Sequence, residues 1–244
     1  MCPSGGHFLR LAFMLKTPAT YEEQIKKLRE HKCIVADEAF CTDVLMRISY
    51  YRLCAYLLPY RTKDGNRYSA TRFEKIYALY EFDRKMRNLL FAAIEETEVF
   101  LRASFSYFHA HKYGAIGYEA PSNFNNRHDH EKFIRKLNAE IRNNQNVLFV
   151  KHHQECYDGR FPLWVAMELF TFGMLSYFYA DLHMHDQKAL ATELFDSIPK
   201  KVISWLRCCT DLRNICAHYG PAGAVSRSRK MEQRAYSAHE RSIL

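Results

Sequence analysis

The sequence contains no glycine-rich phosphate loop, no nucleophile elbow and no dinucleotide fingerprint, so nothing in it supports an NTPase, an α/β-hydrolase or a nicotinamide enzyme. Its eight cysteines include no Cys-x-x-Cys pair, and no clear signal peptide precedes them. That argues against a disulfide framework and for reduced, buried thiols in a cytoplasmic protein. Twelve histidines form four close pairs, His109-x-His111, His128-x-His130, His152-His153 and His183-x-His185, but none has a second ligand pair at zinc-site spacing. No metal and no cofactor is therefore expected. There is no internal repeat and no run of alternating strands, which leaves an all-α bundle. The most apolar stretch, Pro162 to Ala180, reaches membrane-spanning length, yet it carries Glu168 in its middle and is rich in aromatics. It reads as one core helix, and no membrane partner is expected.

What is present is a chain of 244 residues, 48% hydrophobic, enough for a substantial core in one large or two small domains. The formal net charge of +8 favours an acidic partner such as nucleic acid. Residues 1–16 read as a disordered extension, residues 17–220 as the helical domain and residues 221–244 as a basic tail with Arg227, Arg229, Lys230 and Arg234.

Along the helical domain, Thr20 and Glu23 form a capping-box pattern ahead of Tyr21, Ile25 and Leu28, and a second helix is predicted over Glu38 to Arg47. Lys63-Asp64-Gly65-Asn66 is a turn signal, and Thr71 with Glu74 repeats the capping box before a very long helix, about Arg72 to Lys112. Ile76, Leu79, Asp83, Met86, Leu90, Ile94, Thr97 and Leu101 recur along that helix at helical spacing. Asp83 with Arg87 and Glu98 with Arg102 are i, i+4 pairs, expected on a solvated face. Further helices are predicted over Asp129 to Asn143 and Gln187 to Phe195.

The chemistry concentrates in Asp211-Leu212-Arg213-Asn214-Ile215-Cys216-Ala217-His218-Tyr219-Gly220. Pro199 suits the first position of a helix running to about Tyr219, with Asp196 or Ser197 as cap and Gly220 as its left-handed end. Val202, Trp205, Leu206, Cys209, Leu212 and Cys216 share one face, and Arg207, Asp211, Asn214 and His218 form a polar stripe. Arg213 projects at the edge of the apolar face, where a guanidinium must find a partner or reach out of the side of the helix.

Five blocks in order carry a family resemblance: Ile48-Ser49-Tyr50-Tyr51-Arg52-Leu53-x-x-Tyr56, Leu79-Tyr80-x-Phe82-Asp83-x-x-x-Arg87, Ile94-Glu95-x-x-Glu98-x-x-x-Arg102, Pro162-x-Trp164-x-x-x-Glu168-x-x-Thr171-Phe172-Gly173-x-Leu175-Ser176, and Arg213-Asn214-x-x-Ala217-His218. Together they resemble the HEPN domains of Abi-type (AbiD/AbiF-like) abortive-infection proteins, whose signature is Arg-x4-His. The resemblance implies a HEPN-like helical bundle with additional N-terminal helices. It implies a metal-independent endoribonuclease toxin of antiphage defence, of a kind whose antitoxin, where there is one, is an RNA or a protein. After Gly220 the chain departs from the family, with Pro221-Ala222-Gly223-Ala224 where an arginine-rich aromatic segment is usual.

The implied chemistry suits these residue types. RNA carries its own nucleophile, the 2′-hydroxyl, so cleavage needs proton transfer, for which histidine is suited, and a cation to meet the charge on the phosphoryl oxygens, for which arginine is suited. The resemblance gives these roles to His218 and Arg213, with Asn214 beside them. Residues five apart on a straight helix point about 140° away from each other. Either the helix end unwinds or two copies line one cleft, and the family implies the second, a homodimer. Asn214 and Asp211 either fix the imidazole or merely solvate the helix. Tyr51 and Arg52, in a block with Tyr50 and Tyr56, are candidates to stack and hold RNA, as is Arg207; the alternative for the aromatics is core packing. Glu168 is expected to counter Arg213 or Arg52. A second functional class, a non-catalytic RNA-binding module, fits the basic charge and the altered tail.

Overall fold

The computed structural model describes residues 17–60 and 69–217. The expected extension over residues 1–16, the turn at Lys63–Asn66, His218, Gly220 and the basic tail lie outside the described residues. Ten α-helices and one minimal sheet are present among the residues described, so the protein is all-α. The chain divides into two compact units, residues 1–82 and 83–244.

The first unit begins with α1 (Tyr21–Glu30), where the Thr20 side chain accepts from the Glu23 amide and the Glu23 carboxylate accepts from the Thr20 amide, so the capping box is formed. Then come β1 (Cys33–Ile34), α2 (Glu38–Arg47) capped by Asp37, α3 (Tyr50–Cys54) capped by Ser49, and a 3-10 turn over Ala55–Tyr60. Strand β2 (Thr71–Arg72) pairs in parallel with β1. Thr71 is therefore a strand residue with a buried, unpartnered hydroxyl, and the second expected capping box does not form. Ile25, Leu28, Val44, Leu53, Leu57, Phe73 and Ile76 make the core of this unit, with Phe40 set edge-on to Phe73 and Tyr77.

Helix α4 (Phe73–Tyr113) runs 41 residues and stops at Gly114, whose φ of +88° lies in the left-handed region a glycine tolerates. From Asp83 on, it belongs to the second unit with α5 (His130–Asn143), α6 (Leu148–Cys156), α7 (Leu163–Ala166), α8 (Phe172–Asp181), α9 (Met184–Phe195) and α10 (Pro199–Ala217). At the centre lies α8. Phe172, Met174, Leu175, Ser176, Phe178 and Tyr179 are all buried and Tyr177 is exposed, the pattern of a helix covered around most of its circumference. Burying Phe178 alone is worth about 2–3 kcal/mol. Helix α10 packs on α8 and α9 through Val202 and Leu206, with Cys209 and Leu212 against the same core.

Three expectations are corrected here. The stretch from Pro162 to Ala180 is not one helix: α7 passes through a 3-10 turn at Met167–Leu169, the chain extends at Phe170 (ψ 130°), and Thr171 caps a new helix through the Met174 amide. A side chain that caps the following residues competes with continuing the preceding helix, which hydrophobicity alone does not register. The residue before Pro199 that closes the first turn of α10 is Ile198, whose carbonyl accepts from Lys201 and Val202. Asp196 instead takes a left-handed conformation (φ 44°) at the end of α9. Trp205, at the margin of the apolar stripe, is 48% exposed.

Candidate active site

Helix α4 supplies one wall of a cleft of about 240 Å3 through Phe91, Ile94, Glu95, Glu98, Val99 and Arg102, and Arg213 reaches it from α10. Three residues on from Arg213, Cys216 lies within electrostatic range of Arg87 and Asp83. Burial pushes its thiol pKa up, with Arg87 opposing and Asp83 adding to the shift. Helix α10 therefore runs antiparallel to this part of α4, with Arg213 level with residues 91–102 and Cys216 level with residues 83–87.

Two arginines of α4, Arg87 and Arg102, are held in ion pairs. Arg102 donates to Glu98 at 2.5 Å and to the Phe170 carbonyl at 2.8 Å, and lies 3.7 Å from the Glu168 carboxylate. The Phe170 carbonyl is available because the chain is extended there rather than helical. Nearer the start of the unit, Arg87 and Asp83 form a second, more deeply buried ion pair. Both i, i+4 pairs were expected on a solvated face. Instead Asp83 and Arg87 share the phase of buried Ile94 and Leu101, and Glu98 and Arg102 lie largely buried beside it. Asp83 already shared that phase in the sequence, which was the available signal.

Arg213 differs from both. It is half-buried, and among the described residues it forms no hydrogen bond and no ion pair. A guanidinium held at a cleft without a committed anion keeps all five donors for a visitor. Glu168 does not counter it: the break at Phe170 puts Glu168 on a turn with a 55% exposed side chain, and its ion-pair partner is Arg102. Arg207 and Asn214 are exposed and Asp211 is half-buried, all three without hydrogen bonds among the described residues. Tyr51, 89% exposed, and Arg52 stand on α3 of the first unit, so no single unit holds both them and Arg213. Tyr56 is a core residue, edge-on to Tyr80 at 5.7 Å, and Tyr50 packs against the same core, so the aromatic block presents only Tyr51 and Arg52 outward.

The family model for Abi-like proteins matches residues 43–221. The chain belongs to the Abi-like protein family. The match takes in every residue that lines the cleft, together with Tyr51, Arg52 and His218. No curated protein and no solved structure matches the chain.

The histidines of this Abi-like protein form no group of three or more His, Cys, Asp or Glu side chains suited to a metal ion among the described residues. His109 is fully buried between Tyr113, Phe124 and Phe178 with neither ring nitrogen partnered, and burial lowers its pKa to about 4. His128 reaches Asp181 at 3.0 Å and His130 at 3.2 Å through its two ring nitrogens. Among the described residues of the Abi-like chain, no helix is long and apolar enough to cross a membrane.

Proposed function

We propose that this Abi-like protein is a metal-independent endoribonuclease of abortive-infection defence, a role its family suggests. Arg213 binds the scissile phosphate and stabilises the charge that develops on it. His218 takes the proton of the attacking 2′-hydroxyl, the phosphorus–O5′ bond breaks, and the departing O5′ is protonated, so one product ends in a 2′,3′-cyclic phosphate and the other in a 5′-hydroxyl. Asn214, one turn before His218, orients the imidazole, and Asp211 extends the same stripe. Exposed Arg207, Arg52 and Tyr51 hold the RNA strand. The enzyme works as a homodimer without a cofactor.

The observation that carries this reading is the guanidinium of Arg213, which lines the cleft and has no ion-pair or hydrogen-bond partner among the described residues. A structural arginine is normally tied to carboxylates or carbonyls, as Arg102 is here. An arginine for phosphate is preorganised by its surroundings and left without a partner.

The test is RNA cleavage by the purified chain in EDTA, beside Arg213→Ala and His218→Ala. The reading predicts cleavage with cyclic-phosphate ends that both substitutions abolish. Intact RNA with all three chains, still bound in a salt-sensitive manner, refutes catalysis and leaves the RNA-binding module.

A further inference from the structure

Trp164 belongs to the fourth sequence block, and the Arg213 cleft makes no use of it. It stands on the first turn of α7, which is held against the end of α4 by a bond of 2.8 Å from the Leu163 amide to the Ala115 carbonyl. Leu163 beside it is fully buried, so the indole is carried on a fixed support. It nevertheless lies 51% exposed and makes no ring contact among the described residues.

Helix α4 meets it with small side chains at Ala103, Ser106 and Ala110, at steps of three and four, and with large rings one position further on, at Tyr107 and His111. These residues and Trp164 line a depression of about 560 Å3, a size at which small ligands are bound. Tyr107 is 68% exposed, and its ring centre lies 3.9 Å from that of His111. The His111 Nδ1–H donates to the Tyr107 carbonyl at 2.8 Å. That bond fixes the tautomer of the neutral ring, so Nε2 holds a lone pair directed away from the helix backbone. Exposed rings around a floor of alanine and serine bury little of their own surface and make a stacking platform.

The rings call for a flat, π-rich ligand with an N–H on its edge, and the neighbouring cleft says which. Val99 and Arg102 line the Arg213 cleft, and Ala103 and Ser106 lie one turn on from them along α4, so the two openings adjoin. Arg102 also ties α4 to Glu168 and the Phe170 carbonyl, on the segment that carries Trp164. A cation for a phosphate beside a platform for a base matches the repeating unit of a nucleic-acid strand, and the net charge of +8 suits its backbone.

We propose that this depression binds one unpaired purine of an RNA strand, stacked on Tyr107 and Trp164, with an N–H of its edge donated to His111 Nε2. A purine offers a larger stacking face than a pyrimidine, and adenine and guanine both carry an amino group for His111. With the purine seated, the phosphate that reaches Arg213 is one at a set distance along the strand, so the pocket chooses the linkage that is cut. That choice rests on the nuclease reading; the base pocket does not.

The test uses the full chain carrying Trp205→Phe, which leaves Trp164 as its sole tryptophan. Its fluorescence is titrated with 2′-O-methyl oligoadenylate, which has no free 2′-hydroxyl to react, with the matching oligouridylate, and with an abasic strand of the same length. Oligoadenylate is expected to quench Trp164, binding several-fold tighter than oligouridylate and roughly tenfold or more tighter than the abasic strand. Tyr107→Leu removes most of that advantage and Tyr107→Phe keeps it, which separates stacking from a folding defect. His111→Phe keeps the quenching and narrows the preference over oligouridylate. Equal binding of the abasic strand, quenching indifferent to Tyr107→Leu, or no quenching by any strand overturns the pocket, and the last outcome returns these rings to protein contacts. On cleavable RNA the cuts are expected at a constant distance from a purine, and Tyr107→Leu spreads them over other sequences. Cuts by the natural chain without regard to purines overturn the choice of linkage. Purine-dependent quenching with intact RNA overturns the nuclease and not the pocket, and cleavage without quenching does the opposite.

Discussion

Replacing Arg102 with methionine keeps much of the volume and removes the charge, which isolates the ion pair beside the cleft. The arginine and Glu98 side chains are only 20% and 16% exposed, so Arg102→Met leaves a largely buried carboxylate without its partner and the Phe170 carbonyl without its donor. Breaking a buried pair costs about 3–5 kcal/mol, and residual exposure puts this one near the low end, at about 3 kcal/mol. Glu98→Gln keeps an acceptor for Arg102 and costs about 1–2 kcal/mol. The double substitution removes both charges together, so the two effects fall short of their sum by about 1.5 kcal/mol or more. Urea unfolding followed by tryptophan fluorescence reads the right part of the molecule, because both tryptophans, Trp164 and Trp205, belong to the second unit. A loss of about 3 kcal/mol corresponds to a fall of roughly 6–12 °C in Tm for a unit of this size. Additive effects within about 0.5 kcal/mol would refute the coupling of Arg102 to Glu98 and with it the claim that this cation is committed.

Arg213→Ala is expected to reverse that pattern: stability within about 0.5–1 kcal/mol of the natural chain, because no partner among the described residues is orphaned, and RNA cleavage reduced by about 100-fold or more. Thermal melts and cleavage time courses on one preparation check both halves. His109 titrates near pH 6.5 when unfolded and near 4 when folded, so the unfolded chain binds the extra proton. Its contribution is intact above pH 6.5, is lost as the pH falls toward 4 and amounts to about 3 kcal/mol. The urea midpoint measured across that range steepens accordingly for the natural chain and flattens for His109→Phe. Removing the cap with Thr171→Ala destabilises the second unit by about 1 kcal/mol, read in the same urea experiment.

Much of the helical layout was legible because its signals are local. The helix predicted over Glu38 to Arg47 forms with those bounds, the one predicted over Asp129 to Asn143 forms from His130, and α10 begins at Pro199. What escaped depends on partners distant in sequence. Thr71 has the residues for a capping box but pairs with Cys33 in a parallel ladder. Asp83 and Arg87 satisfy the same spacing rule on a wet face or a buried one, and only the tertiary packing around them decides which. Arg213 was marked by its place at the edge of an apolar stripe. The identity of its neighbours, Glu95, Glu98 and Arg102, needed the antiparallel packing of α4 and α10 to be seen.

The cleft also carries a timetable. Its anchoring bond joins Arg102 to a carbonyl 68 residues further on, and the Arg213 guanidinium comes from a helix later still. During synthesis the early wall leaves the ribosome long before the residues that complete it. Whatever chemistry the cleft performs is available only to a chain made past Arg213, so the growing polypeptide passes its own template and ribosome with the site still unbuilt.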